Sequence, residues 1–372
     1  MSSKEGARAM PFPFHLSPEE TLHELTELNR KVATGIDNLS RLREEDLQVG
    51  VTPKEEIYRE DNVVLYRYTP MVERPFPIPV LIVYALVNRP YMVDLQEDRS
   101  LVRNLLKLGI DVYLIDWGYP SRGDCWLTLD DYINGYLNNC VDNVRARHGL
   151  DRINLLGICQ GGTFSLCYAA LYQEKVKNLI TMVAPVDFQV KDGLLNLWVG
   201  CSPGSPGMDV DLLVNALGNI PGEFMNFGFL LMKPFELGLR KYLDLIEILD
   251  DDKKLLNFLR MEKWIFDSPD QAGEAYRQFM KDFYQGNKLI KGEVKIGGKP
   301  VDLREVRVPV LNVYAEQDHL VPPASSVALV RYVGSADYTV KAFPVGHIGM
   351  YVSGKVQQDL PPTIANWLKE RP

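Results

Sequence analysis

Gly157-Ile158-Cys159-Gln160-Gly161-Gly162 stands between a short apolar run, Ile153-Asn154-Leu155-Leu156, and a stretch from Thr163 to Tyr172 that is long enough for a helix. A strand, a glycine-bracketed cysteine and a helix in that order describe a sharp elbow. Glycine at 157 and 161 leaves room for the turn, which forces the central side chain into a strained, exposed position. The amide of Gln160 then opens the helix and points at whatever Cys159 attacks. A G-x-x-x-G spacing is common by itself, and its place between strand and helix makes it informative. The competing reading is a buried structural cysteine in a glycine-rich turn.

Outward from the elbow, β-type runs are expected at 62–68, 79–84, 111–116, 176–183, 308–314 and 338–343. Helical patterns fall between most of them, notably at 98–108, 129–147 and 324–333, and a last helix is expected around 360–371. Near-continuous apolar strands alternating with helices predict an α/β fold whose mostly parallel sheet is covered on both faces. The alternation breaks between Asp187 and about Pro300, where Phe224, Phe227, Phe229, Trp264, Phe266, Tyr276, Phe279, Phe283 and Tyr284 concentrate. This interval reads as a helical cap over the site. The expected organisation is an N-terminal segment (1–50), a core (51–186 and 301–372) and the cap (187–300).

The 372 residues are 46% hydrophobic and 24% charged, enough for a full core. A net charge of -8 argues against a general nucleic-acid binder. The five cysteines, Cys125, Cys140, Cys159, Cys167 and Cys201, form no C-x-x-C pair, so neither a disulfide framework nor a metal site is expected, and a reducing cytosol is. The start carries no apolar signal region, and Phe224 to Met232, the most apolar candidate for a membrane span, is cut by Lys233-Pro234. Ser17-Pro18-Glu19-Glu20 signals a helix start, after which Leu25, Leu28, Val32, Ile36, Leu39 and Leu42 form one apolar stripe. Such a stripe ordinarily packs on its own domain, and a partner helix is the rarer use.

A thiol near its ordinary pKa of about 8.5 needs a base. In elbow-bearing sheets the acid and the histidine follow the nucleophile in chain order, each just beyond a late strand. Asp318 follows the 308–314 run, and His347 follows 338–343 in Pro344-Val345-Gly346-His347-Ile348-Gly349. Glu316 is the alternative acid. Of the other four histidines, His15, His23 and His148 lie away from these loops, and His319 adjoins the proposed acid but points elsewhere. A second oxyanion donor is expected from the loop Ala85-Leu86-Val87-Asn88-Arg89-Pro90-Tyr91, with Val87 chosen and Leu86 and Asn88 open.

With these positions located, the chain resembles the α/β-hydrolase fold, and within it the catalytic subunit of polyhydroxyalkanoate (PHA) synthases of the short, two-subunit class III. Segments 83–91, 113–118, 157–162, 218–221 and 343–349 carry the likeness, together with Glu274-Ala275-Tyr276-Arg277-Gln278-Phe279 and Asp282-Phe283-Tyr284-Gln285 from the insertion. The resemblance implies polymerisation of (R)-3-hydroxyacyl-CoA, with 3-hydroxybutyryl-CoA the expected monomer, and release of CoA. Cys159 would hold the chain as an acyl thioester, His347 would be the base and Asp318 the third member. It also implies no cofactor, since the CoA thioester is a substrate. A second, PhaE-type subunit, a homodimer or higher hetero-oligomer, and a cytoplasmic location at the polymer granule surface follow from the same likeness. A cysteine-using thioesterase or lactone hydrolase of the same fold is the alternative.

Overall fold

The computed structural model describes residues 17–200 and 207–372. His15, Cys201 and residues 202–206 lie outside the described residues. The described residues up to Leu47 cluster with Lys233–Leu259 in one compact unit, and Gln48–Met232 with Arg260–Pro372 in a second. The middle of the 187–300 insertion thus groups with the N-terminal segment rather than with the rest of the insertion.

Eight strands of the larger unit form one sheet: β1 Lys54–Glu60, β2 Val63–Tyr68, β3 Val80–Val83, β4 Val112–Asp116, β5 Ile153–Ile158, β6 Val176–Met182, β7 Val310–Ala315 and β8 Tyr338–Phe343. Their order is β1-β2-β4-β3-β5-β6-β7-β8, antiparallel at β1/β2 and β2/β4 and parallel everywhere else. The runs read as β2 to β8 all appear as strands. β1, Lys54-Glu55-Glu56-Ile57-Tyr58-Arg59-Glu60, was not expected, because it is an edge strand with no fully buried residue and hence no apolar run.

Helices used below are α1 Pro18–Arg41, α2 Leu101–Lys107, α3 Asn138–His148, α4 Gln160–Leu171, α5 Gly222–Met232, α6 Lys241–Ile248, α7 Asp252–Phe266, α8 Gly349–Val352 and α9 Gly354–Lys369. Successive residues of β3 feed opposite faces. Leu81 and Val83 join the core under α3 and α4, whereas Val80 and Ile82 join the core under α2 and α9. Both faces are dry, which is why the central strands read as unbroken apolar runs.

The last helix begins at Gly354, not near Leu360, and runs through Pro361 and Pro362. Pro361 has no N–H to give the carbonyl one turn back. That carbonyl, on Gln357, instead accepts from Asn104 Nδ2 of α2 at 3.4 Å, and the same amide donates to Gln357 Oε1 at 2.9 Å. Asn104→Leu is therefore expected to lower stability by about 1–3 kcal/mol, the cost of stranding a buried acceptor. A melting curve superimposable on the parent's would show that the helix tolerates its prolines without Asn104.

In the smaller unit, Ser17 Oγ caps α1 by accepting from Glu20 N–H at 3.3 Å. A Cβ on Gly35 would fall 2.6 Å from that of Leu249, so this glycine lets α1 approach the end of α6. The approach is fastened by Arg30–Asp250 at 3.0 Å and by Lys31–Glu247. The apolar stripe is used differently from the ordinary expectation: Leu25, Leu28, Ile36 and Leu39 are exposed, Ile36 at 63%.

The aromatics of the insertion divide. Tyr276, Phe279, Phe283 and Tyr284 are buried, and the last three meet Phe188 edge-to-face with Phe279 stacked on Phe283, but Phe224, Phe227 and Leu231 of α5 stand exposed on one helix face. The stretch Phe224 to Met232 is thus only partly covered, with Asn226 and Met232 buried. Among the described residues no helix is long and apolar enough to cross a membrane.

Candidate active site

Cys159 sits between β5 and α4 with φ 54° and ψ -126°, one of four described non-glycine residues at positive φ. Such strain persists only where the surroundings over-determine it. Here they do. A Cβ on Gly157 would lie 2.5 Å from Ser165 Oγ, and one on Gly161 would lie 2.2 Å from the Val83 carbonyl oxygen. The elbow is wedged between its own helix and the end of β3, and only glycines fit on either side of the cysteine. Cys159 is partly buried, while Cys140 and Cys167 lie inside the fold and burial pushes both thiols up.

Asp318 lies three residues beyond β7, and His347 lies between β8 and α8. Although 29 residues apart, they meet: His347 Nδ1 is 2.7 Å from Asp318 Oδ2. The other carboxylate oxygen, Oδ1, accepts from the backbone N–H of Leu320 and Val321, both at 2.9 Å. Asp318 is therefore fixed by its own loop before it orients the ring. Glu316, the alternative acid, is exposed, and its backbone N–H bonds the carbonyl of Phe343. His148 Nε2 lies 2.8 Å from the Tyr113 hydroxyl, far along the sheet from this site, and burial lowers its pKa.

Burial would by itself strip the proton from His347. The Asp318 carboxylate, hydrogen-bonded to the ring, and the charge of a Cys159 thiolate overrule burial and push the imidazole up to about 10. Because this value lies above the ordinary 6.5, the protonated ring stabilises the fold in full below that pH, and the contribution fades as pH rises through about 10. Capping Cys159 removes one of the two negative charges. Alkylation with iodoacetamide is accordingly expected to lower the pKa of His347, readable by NMR titration of labelled histidine. A pKa that stays put or rises would mean that the sulfur and the ring do not share a proton.

Two tyrosines close the far side of the ring, and sequence reasoning passed over both. Tyr351, one helical turn after His347, meets the imidazole edge-to-face at 6.0 Å and meets Tyr84, at the end of β3, at 6.3 Å. Burial pushes both phenols up, reinforced for Tyr84 by the nearby Cys159 charge and for Tyr351 by Tyr84 and then by Cys159. Tyr284, from the insertion, is shifted upward in the same way by burial and by the Cys159 charge. The i, i+4 spacing of His347 and Tyr351 was the signal that could have identified this contact.

The loop after β3 has a direction set by the elbow. The N–H of Leu86 donates to Gln160 Oε1 at 3.0 Å and is thereby consumed. Of the three amides left open by the sequence, Val87 and Asn88 remain, both partly exposed. The N–H of Gln160 belongs to the first turn of α4, outside the helical ladder. The arrangement offers a sulfur nucleophile, a base oriented by a carboxylate, and backbone donors at a helix start, which together suit acyl transfer.

Comparison with known proteins agrees with this geometry. Residues 78–353 match the family described as alpha/beta hydrolase fold, and residues 21–105 match the family described as Poly-beta-hydroxybutyrate polymerase (PhaC) N-terminus. The poly(3-hydroxyalkanoate) polymerase subunit PhaC of Synechocystis sp. is 66% identical over 363 residues, covering 97% of this chain and 96% of that protein. The subunit of the same name from Allochromatium vinosum is 56% identical over 362 residues, covering 97% of this chain and all of that protein. Among solved structures, a putative lipase from Sulfolobus solfataricus superposes with a TM-score of 0.56 at 15% identity, over 86% of this chain and 93% of that one, a likeness of fold alone. An α/β-hydrolase sheet that carries a cysteine elbow, with relatives this similar along nearly their whole length, means that the chain belongs to the PhaC family of poly(3-hydroxyalkanoate) polymerase subunits.

Proposed function

We propose that this protein polymerises (R)-3-hydroxyacyl-CoA, with (R)-3-hydroxybutyryl-CoA as the natural first choice, through an acyl-Cys159 intermediate. The observation that carries the reading is Cys159 held at φ 54° beside His347, whose other nitrogen is bound 2.7 Å away by Asp318.

Loading begins with the Cys159 thiolate attacking the thioester carbonyl. The oxyanion is received by the N–H groups of Gln160 and Val87. The intermediate collapses with cleavage of the carbon–sulfur bond to CoA, whose sulfur takes the proton from His347. Thioester exchange between two sulfurs is nearly isoenergetic, so the acyl group stays activated. His347 has now given up its proton, and one of the charges that held it is gone. The neutral ring then takes the proton of the 3-hydroxyl of an incoming acyl-CoA, and the resulting alkoxide attacks the acyl-Cys159 carbonyl. An ester forms, the thiolate leaves, and it reattacks the new CoA thioester to release CoA. No cofactor takes part, because the CoA thioester carries its own activation.

Water must be kept from the acyl-enzyme, and the buried aromatic cluster of the 187–300 cap serves that purpose. The exposed stripe of α1 is suited to a partner helix, in line with a second, PhaE-type subunit and with assembly as a homodimer or hetero-oligomer. A working place at the surface of the polymer granule, in the cytoplasm, belongs to the same reading.

The test is incubation with (R)-3-hydroxybutyryl-CoA, with and without a PhaE-type subunit, with CoA release measured and products sized. Insoluble polyester is expected. Recovery of free 3-hydroxybutyrate alone would replace this reading with the thioesterase alternative.

A further inference from the structure

The loop that follows β3 is held at two ends by two different parts of the fold. At its start, Leu86 N–H is held by Gln160 Oε1 of the elbow at 3.0 Å. Its far half is held by the cap segment 264–268 that ends α7. Asn88 Nδ2 donates to Ser268 Oγ at 2.7 Å, and that hydroxyl donates onward to Asn226 Oδ1 of α5 at 3.0 Å. The carbonyl of Arg89 accepts from Trp264 Nε1 at 2.9 Å. The Tyr91 hydroxyl donates to Asp267 Oδ2 at 3.0 Å, and the Tyr119 hydroxyl donates to Oδ1 of the same carboxylate at 2.5 Å. The Arg89 side chain turns the other way. It pairs with Asp116 at 2.7 Å, donates to the Gly118 carbonyl at 3.0 Å, and lies 4.2 Å from the Tyr119 ring centre.

Val87 therefore lies between two anchors, one on the elbow and one on the cap. An oxyanion donor works only when its N–H is held where the charge develops, and a displacement of about 1 Å costs orders of magnitude in rate. Glycine cannot be the means here, since the loop contains none. Three side chains of the cap supply the rigidity instead. The bond partners are specific: an indole N–H to a main-chain carbonyl, and a serine that accepts from the loop while donating to α5.

We propose that Trp264, Asp267 and Ser268 are positioning residues for acyl transfer, holding the Val87 N–H in the oxyanion site, so that the site is complete only while this part of the cap is docked on the loop. The proposal rests on the reading of Val87 as an oxyanion donor. It assigns the cap a second duty beside excluding water.

The experiment compares Ser268→Ala and Trp264→Phe with the parent in two reactions at Cys159. The first is single-turnover acylation by (R)-3-hydroxybutyryl-CoA, which builds an oxyanion. The second is alkylation by iodoacetamide, a displacement at carbon that builds none. Acylation is expected to slow about 10- to 100-fold, less than the loss seen when an oxyanion donor is deleted outright. Alkylation should stay within about twofold of the parent, and Ser268→Thr, which keeps the hydroxyl, should restore acylation. Acylation and alkylation falling together, along with the melting temperature, would reduce these residues to structural support and overturn the proposal. Gln160→Ala, which frees the other anchor, separates the two ways of failing. If it alone slows acylation, the cap anchor is wrong and the oxyanion loop stands; if none of the three variants slows it, the oxyanion reading itself is wrong.

Discussion

Cys159→Ala is expected to abolish CoA release from (R)-3-hydroxybutyryl-CoA, a fall of about 10⁶-fold, comparable to removal of a nucleophile from other covalent acyl-transfer sites. The size follows from the route. Without sulfur there is no acyl-enzyme, and the remaining hydrogen-bond donors can only polarise a thioester that nothing attacks. Stability should barely change, because Cys159 is only partly buried and alanine removes one atom. Cys159→Ser is the sharper companion. Its hydroxyl is far less acidic than a thiol, and an oxygen ester lies below a thioester in energy, so loading and onward transfer should both be slow. CoA release by the alanine variant at a measurable fraction of the parent's rate, in protein free of parent enzyme, would remove the covalent route.

Asp318→Asn should be the second most damaging change, about 10²–10⁴-fold in elongation, the usual share of a positioned base. The substituted amide would keep its oxygen toward the N–H groups of Leu320 and Val321, which now bond Oδ1. Its NH2 would then face His347 Nδ1, forcing that nitrogen to accept and placing the ring proton on Nε2, toward Cys159. This tautomer cannot take a proton from a substrate hydroxyl. Loading should suffer less, because a thiol gives up its proton far more readily than a secondary alcohol. Burst-phase CoA release against steady-state polymer growth separates the two steps. Parent-like behaviour in both would exclude Asp318 from the mechanism and reopen the choice of acid.

The strands of this sheet were legible wherever they lie inside it. β3 and β5 are covered on both faces, so every residue but Asn154 is apolar or glycine and the run is visible without any partner. β1 was not legible because an edge strand satisfies its backbone on one side and leaves its side chains in water. The start of α9 was misjudged for a local reason. Proline at 361 and 362 reads as the first turn of a helix, and only Asn104, 253 residues away from Gln357, shows how a helix can pass through them. The apolar stripe of α1 was legible as a stripe, yet its exposure is a property of how α1 packs, through Gly35 and charged pairs rather than through leucines.

The order of chemistry along the chain was determined by the sequence itself: a cysteine pinched between glycines after a strand, then an acid and a histidine after two later strands. Local sterics suffices for this, since the elbow needs glycine at 157 and 161 whatever surrounds it, and strand ends are marked by their neighbours. Tertiary structure decided everything that depends on segments far apart meeting. It brought the carboxylate of Asp318, and not that of Glu316, to 2.7 Å from His347, spent the Leu86 amide on Gln160, set Tyr84 against Tyr351 behind the imidazole, and tied the loop of Val87 to Trp264 and Ser268. Direction and distance between side chains arise only once the sheet has brought its strand ends to one edge. No spacing along a single chain encodes them.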